Sequence, residues 1–124
     1  MNDVMVSPVV TVKNLDRARE FYEDKLDLKY SGNIMDDEII FSSNGGEVLV
    51  MQVDDKQPSN HTVLTFEVND IEKERDELKN KGISFEEYDD PNFKTEDGIC
   101  TLGNDKSAWF KDPEGNVLCI HQKG

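Results

Sequence analysis

The sequence predicts an α+β chain in which one βαβββ module is written twice, its mixed sheets enclosing a cleft. Three observations carry this expectation. Two β-branched runs each lead into a helix-like stretch opened by Asn or Asp, and a shift of 56 residues lays Val12 on Val68, Asn14 on Asp70, Leu15 on Ile71 and Asp16 on Glu72. Short strand-like runs separated by Gly- and Asn-containing turns follow each helix. The last strands of the two halves also match, with Val50 over Cys119. Residues 1–124 thus read as one domain of two repeated modules, about 1–56 and 57–124.

Each element has a local reason. Ser7-Pro8-Val9-Val10-Thr11-Val12 is a β-branched run, and Asn14 can cap the helix behind it by accepting a free backbone N–H of the first turn. Apolar Leu15, Ala18, Phe21, Tyr22 and Leu26 recur at helical spacings. Strands are expected at 28–30, 38–42 and 47–53, with turns at Ser31-Gly32-Asn33 and Asn44-Gly45-Gly46. In the second half the strand is 63–68, and Asn69-Asp70-Ile71-Glu72 opens a helix that runs to about Lys81, where Gly82 suits the C-terminal turn. Strands at 83–87, 99–102, 107–111 and 117–122 follow, the last two joined by Asp112-Pro113-Glu114-Gly115.

Alternation along these strands separates two faces. Val10, Val12, Leu49, Met51, Leu64, Phe66, Leu118 and Ile120 are expected beneath the helices. Val9, Thr11, Val48, Val50, His61, Val63, Thr65, Cys119 and His121 are expected on the opposite, smaller and more polar face. A mixed face of that kind suits the lining of a cavity better than a dry core.

Composition excludes several classes of function. The formal charge of −13, from 27 acidic and 14 basic residues, repels phosphate backbones, so neither nucleic acid nor an anionic membrane is expected as a partner. The acidity is compatible with a cationic ligand, although solubility explains it more simply. No run approaches the roughly 20 apolar residues of a membrane span, and the N-terminus lacks a signal-peptide layout. Cys100 and Cys119 have neither CxxC spacing nor other cysteine neighbours, which points to a reducing, cytoplasmic setting.

Residues 9–22, from Val9-Val10-Thr11-Val12 to Phe21-Tyr22, resemble the first strand and helix of the vicinal oxygen chelate superfamily, which comprises glyoxalases, bleomycin resistance proteins and extradiol dioxygenases. Ala108-Trp109-Phe110-Lys111-Asp112-Pro113-Glu114-Gly115-Asn116-Val117 resembles its closing hairpin. The resemblance covers essentially the whole chain. It implies the glyoxalase/bleomycin-resistance/dihydroxybiphenyl-dioxygenase-like fold, paired modules around a cleft, and a homodimer. Metallo-enzymes of this superfamily hold a divalent ion with His, Gln or Glu on the first and last strand of each module, leaving open positions for two substrate oxygens. Carried onto this chain, those positions are Ser7, Val50, Val63 and Cys119. That set implies no metal and no other cofactor. It favours the bleomycin-resistance branch, whose members bind a small organic molecule. The alternative is a metal-dependent lyase or dioxygenase of the glyoxalase type with a non-standard site, so enzymatic activity stays open.

The expected ligand-contacting residues are Ser7, Val50, Val63, Trp109, Cys119 and His121, with His61 and Phe41 beside them. Each has a plainer explanation. His61 and His121 each lie two residues from a vacant ligand position and can either form a displaced metal site with Cys119 or hydrogen-bond a ligand or partner. Cys119 and His121 are about 7 Å apart by strand rise, too far for a nucleophile–base pair, so Cys119 reads as a small buried residue. Trp109, the single tryptophan, can stack on a flat or cationic ligand or fill a core. Phe93 lies in the polar stretch 89–98, readable as a lid or as a surface loop. Asp112, Pro113, Gly115 and Asn116 are most simply turn residues.

Overall fold

In the computed structural model, which describes residues 1–124, the chain divides into two compact units, Met1–Pro58 and Ser59–Gly124. The first is built from β1 (Val9–Val12), α1 (Leu15–Arg19), β2 (Lys29–Ile34), β3 (Glu38–Ser43) and β4 (Gly46–Gln52). Its sheet has the order β1-β4-β3-β2, with β1 parallel to β4 and the other pairs antiparallel. Asn14 caps α1 as expected, its side chain accepting from the Arg17 N–H at 2.9 Å. The helix then widens into a π-helical stretch, Glu20–Lys25, in which the Leu26 N–H reaches the Phe21 carbonyl at 3.1 Å.

The second unit repeats this order and extends it. It contains β5 (Thr62–Glu67), α2 (Ile71–Asn80), the hairpin β6 (Asp89–Asp90) and β7 (Phe93–Glu96), then β8 (Ile99–Leu102), β9 (Asp105–Lys111) and β10 (Val117–Gln122). The sheet order is β5-β10-β9-β8-β7-β6, the order of the first unit with a hairpin added at its edge. Asp70 caps α2 by accepting from the Lys73 N–H at 3.2 Å. Both units hold the first helical N–H with a glutamine from the last strand: Leu15 donates to Gln52 Oε1 at 3.3 Å, and Ile71 to Gln122 Oε1 at 2.9 Å. These bonds satisfy donors that a helix leaves open at its N-terminus.

The closing turn keeps two polar side chains buried, Asp112 and Asn116. Asp112 Oδ1 accepts from the Glu114 and Asn116 N–H groups at 2.8 and 2.9 Å, and Oδ2 from the Asn116 side-chain amide at 2.8 Å. Ser59 ties the start of the unit to this turn through its N–H to the Gly115 carbonyl and its hydroxyl to the Val117 N–H. The Asp-Pro-Glu-Gly-Asn run is therefore a turn, held by the Asp112 and Asn116 side chains and by Ser59.

Three expectations need correction. β2 continues through Ser31-Gly32-Asn33, which forms a bulge rather than a turn, and the chain reverses at 35–37, where Met35 takes the left-handed conformation. Residues 83–87 are not a strand. β8 pairs with β9 only from Asp105 to Ala108, and the free edge beyond is met by the Phe85–Phe110 bridge and the Glu86 N–H to the Trp109 carbonyl. Residues 89–98, expected as a lid or loop, form the β6–β7 hairpin.

The face assignment also changes in the first unit. Phe41 packs on Tyr22 at 5.9 Å between ring centroids and pairs with Val48; Ile39 pairs with Val50, and Val50 with Val10. All of these side chains are buried, so Val48 and Val50 lie on the helix-covered face and Leu49 and Met51 on the other. Val48-Leu49-Val50 is aliphatic throughout, so alternation alone carries no phase there. In the second unit the expected faces hold: Leu64, Leu118, Ile120, Ala108 and Phe110 are buried together with Ile71 and Leu78 of α2.

Candidate functional site: the open sheet face of the second unit

Strand pairing arranges the face of the second sheet opposite α2 in rows. Thr65, Cys119 and Trp109 are neighbours on β5, β10 and β9; Glu67, His121 and Ser107 form the next row. Val63 shares this face at a bulge where Val117 pairs with Thr62 and Leu118 with Leu64. The result is a platform of two hydroxyls, a thiol, an imidazole and a carboxylate beside an indole.

The added hairpin completes the platform. Thr95 is buried, with its hydroxyl 2.9 Å from Glu87 Oε1 and 2.8 Å from the Tyr88 N–H, and its own N–H bonded to the Tyr88 carbonyl at 2.9 Å. Glu87 also accepts from the Gly98 N–H at 2.6 Å. Pinned this way, the hairpin brings Tyr88 and Phe93 onto Trp109. Their ring centroids lie 5.1 Å (Phe93–Trp109), 5.9 Å (Tyr88–Trp109) and 5.1 Å (Tyr88–Phe93) apart, in tilted and edge-on arrangements. Burial, with the Glu86 carboxylate, pushes the Tyr88 phenol up, so it remains a neutral hydrogen-bonding group.

Cys119 sits in the floor, 4% exposed. Burial pushes its thiol above the ordinary range, against hydrogen bonds from Ser107, Ala108 and Thr65. A thiol held neutral is a poor nucleophile and a poor metal ligand. His121 is held on two sides, with Nδ1 2.8 Å from Glu67 Oε2 and Nε2 3.5 Å from Asp105 Oδ2. The hydrogen bond to Glu67 leads the causes that raise its pKa, with Asp105 adding to it.

The remaining expected residues fall elsewhere. Val50 and Phe41 are fully buried on the helix-covered face of the first unit and offer no surface to a ligand there. Ser7 is partly exposed ahead of β1. His61 is exposed ahead of β5, with Nδ1 3.0 Å from Asn60 Oδ1. Sequence reasoning missed Tyr88, Glu67 and Asp105. Glu67 follows Val63 and Thr65 at period two and was open to detection; Tyr88 and Asp105 reach the face through pairings that no local pattern encodes.

The repeat also corrects one candidate metal position. Val9 pairs with Leu49 as Thr65 pairs with Cys119, and Thr11 with Met51 as Glu67 with His121. With Gln52 matching Gln122, the last strands superpose with a shift of 70 residues, which puts Leu49 rather than Val50 opposite Cys119. The four positions are then Ser7, Leu49, Val63 and Cys119, a donor set that does not fit a divalent ion. No group of three or more His, Cys, Asp or Glu side chains is arranged to hold a metal. Each histidine instead has its own neighbours: His61 bonds Asn60, and His121 bonds Glu67 and faces Asp105.

A doubled βαβββ chain whose ligand positions carry aliphatic, hydroxyl and thiol side chains defines a vicinal-oxygen-chelate protein without the usual metal ligands. The sequence matches the Glyoxalase/Bleomycin resistance protein/Dioxygenase superfamily over residues 4–120, and the chain belongs to that family. Among solved structures it is similar to a member of this superfamily from Sphaerobacter thermophilus DSM 20745 (18% identity, 97% of each chain covered, TM-score 0.77). It is also similar to the fosfomycin resistance protein FosX from Listeria monocytogenes (14% identity, 100% of this chain and 96% of that one, TM-score 0.75). A third is TnmS3, an antibiotic binding protein from Streptomyces sp. CB03234 (16% identity, 98% and 97% covered, TM-score 0.72). At these identities the likeness concerns the fold. No curated protein matches the sequence.

Proposed function

We propose that this protein binds a small, antibiotic-like organic molecule without a metal, on the open sheet face of its second unit. The observation that carries this reading is the Tyr88–Phe93–Trp109 aromatic patch beside Thr65, Ser107, Cys119 and His121 on one face. Aromatic surface next to a few oriented polar groups is the chemistry of an organic-ligand site. The candidate metal positions supply no ligand set, which favours sequestration over metal-assisted lysis or oxygenation. TnmS3 and FosX bear on antibiotic binding and resistance by analogy. The residues assigned to the site are Val63, Tyr88, Phe93, Trp109, Cys119 and His121, while His61 remains a candidate for the ligand's margin.

The protein is further assigned to the cytoplasm, on its free cysteines, and to a homodimer, on the family resemblance; light scattering at twice 14.2 kDa tests the dimer. No helix is long and apolar enough to cross a membrane. The net charge of −13 disfavours a nucleic-acid partner.

Trp109 is the only tryptophan, so its emission reports on the site directly. In excess EDTA, titration with bleomycin and other flat aromatic antibiotics is expected to give saturable quenching by at least one of them. Phe93→Ala should weaken that binding about tenfold, the loss of one aromatic contact of about 1.4 kcal/mol. Quenching by none of the panel, or only with a divalent ion present, would overturn the proposal.

A further inference from the structure

We propose that Glu67, His121 and Asp105 form a proton-controlled subsite for an ammonium or guanidinium group of the ligand, one row along the sheet from the aromatic patch. This rests on the binding role proposed above and names both the ligand's chemistry and its regulation. The geometry supplies the argument. The rows Thr65–Cys119–Trp109 and Glu67–His121–Ser107 are two residues apart along the strands, about 7 Å by strand rise. A ligand with its ring on Trp109 therefore presents a group on a short arm to the His121 row.

Two carboxylates wait there, on either side of one imidazole. Glu67 comes from β5 and Asp105 from β9, with side chains 62% and 55% exposed, and both remain open to solvent while His121 bridges them. A neutral imidazole has one N–H, so it can donate to only one of the two and turns a lone pair towards the other. A protonated imidazole donates to both. The bridge is therefore complete only with a proton on His121, and without it the pair of carboxylates is short of one cation. An incoming ammonium or guanidinium group makes good that deficit, so proton and ligand compete for the same two acids.

The groups facing His121 are few. Besides Glu67 and Asp105, the Cys119 thiol lies one row away and is kept neutral by burial. Lys123, just past β10, acts on Asp105, whose other oxygen accepts the Gly124 N–H at 2.9 Å. The hydrogen bond to Glu67, with Asp105 adding to it, raises the His121 pKa, so the exchange of proton for ligand is centred above the titration of an ordinary imidazole.

The test compares 3-phenylpropylamine with neutral 3-phenyl-1-propanol, read by Trp109 emission from about pH 5.5 to 8.5. The amine titrates near 10, like a lysine, and so stays charged throughout. Its affinity should rise by up to about tenfold per pH unit while His121 loses its proton, then level off, and that of the alcohol should stay flat. By reciprocity, saturating amine should lower the pKa of the His121 imidazole seen by NMR in the unaltered protein. His121→Gln should abolish the pH dependence, and Glu67→Gln should bring the amine's affinity down towards the alcohol's. Equal, pH-independent binding of the two probes would overturn the subsite and leave the aromatic site standing. Amine binding whose pH dependence survives in His121→Gln, or an imidazole pKa that the amine does not move, would overturn the role of His121. If neither probe perturbs Trp109, the binding face itself is wrong and the subsite falls with it.

Discussion

Single residues show how much a phase error of one position changes. Val50 and Leu49 are adjacent and chemically alike, yet one is fully buried with Val10 and Ile39 and the other occupies the opposite face. The sequence does carry the missing phase: a glutamine closes each last strand, Gln52 and Gln122, and each accepts from the first N–H of its own unit's helix. The correction leaves the chemistry of the four positions unchanged, because Leu49 is no more a ligand than Val50. Val50→Ala is expected to cost about 2 kcal/mol in a denaturant melt, from two buried methyl groups and the space they leave, without altering ligand affinity. A loss of affinity at unchanged stability would return Val50 to the site. The His121 pKa is raised above its unfolded value, so its stabilising contact is fully present below about pH 6.5 and is lost as pH rises through the folded value. The melting temperature should therefore fall across that interval, and His121→Gln should flatten this part of the profile.

At the scale of elements, most of the fold was legible because its signals are local. Asn14 and Asp70 start the helices, Gly82 follows the second at φ 92°, and the Asp112–Asn116 turn closes on its own side chains. Replacing Asp70 with Ala should cost about 1 kcal/mol of stability, measured by chemical denaturation. The β6–β7 hairpin was not legible: Asp89-Asp90-Pro91-Asn92 reads as loop, and β6 has only two residues. What orders it is a set of side-chain bonds from Thr95 and Glu87, reaching across 7 to 11 residues, which no periodicity announces. The same hairpin carries Phe93 to Trp109, so the element hidden from the sequence is the one that completes the candidate site. Thr95→Val keeps the shape but leaves the Tyr88 N–H unbonded, at a cost of about 1–3 kcal/mol. It should also weaken binding of an aromatic ligand through displacement of Tyr88 and Phe93, as followed by Trp109 emission. Unchanged affinity in this variant would separate the hairpin from the site.

For the molecule as a whole, doubling of one βαβββ unit explains both what was readable and what was ambiguous. The first strands and helices repeat at 56 residues and the last strands at 70, the difference being taken up by the hairpin and the longer segments around it in the second unit. Duplication let each half check the other. The candidate site uses the divergence, since Trp109, His121 and the hairpin aromatics have no counterparts of like chemistry at Ile40, Met51 or in the shorter first unit. The central claim is that this family member binds an organic ligand without a metal. It is tested most directly by determining the metal content and the affinity for one bound aromatic antibiotic on the same sample, before and after exhaustive chelation. The account predicts no stoichiometric metal and an unchanged Kd. A Kd lost on chelation and restored by one equivalent of a divalent ion would contradict it and place the protein among the metallo-enzymes of its family.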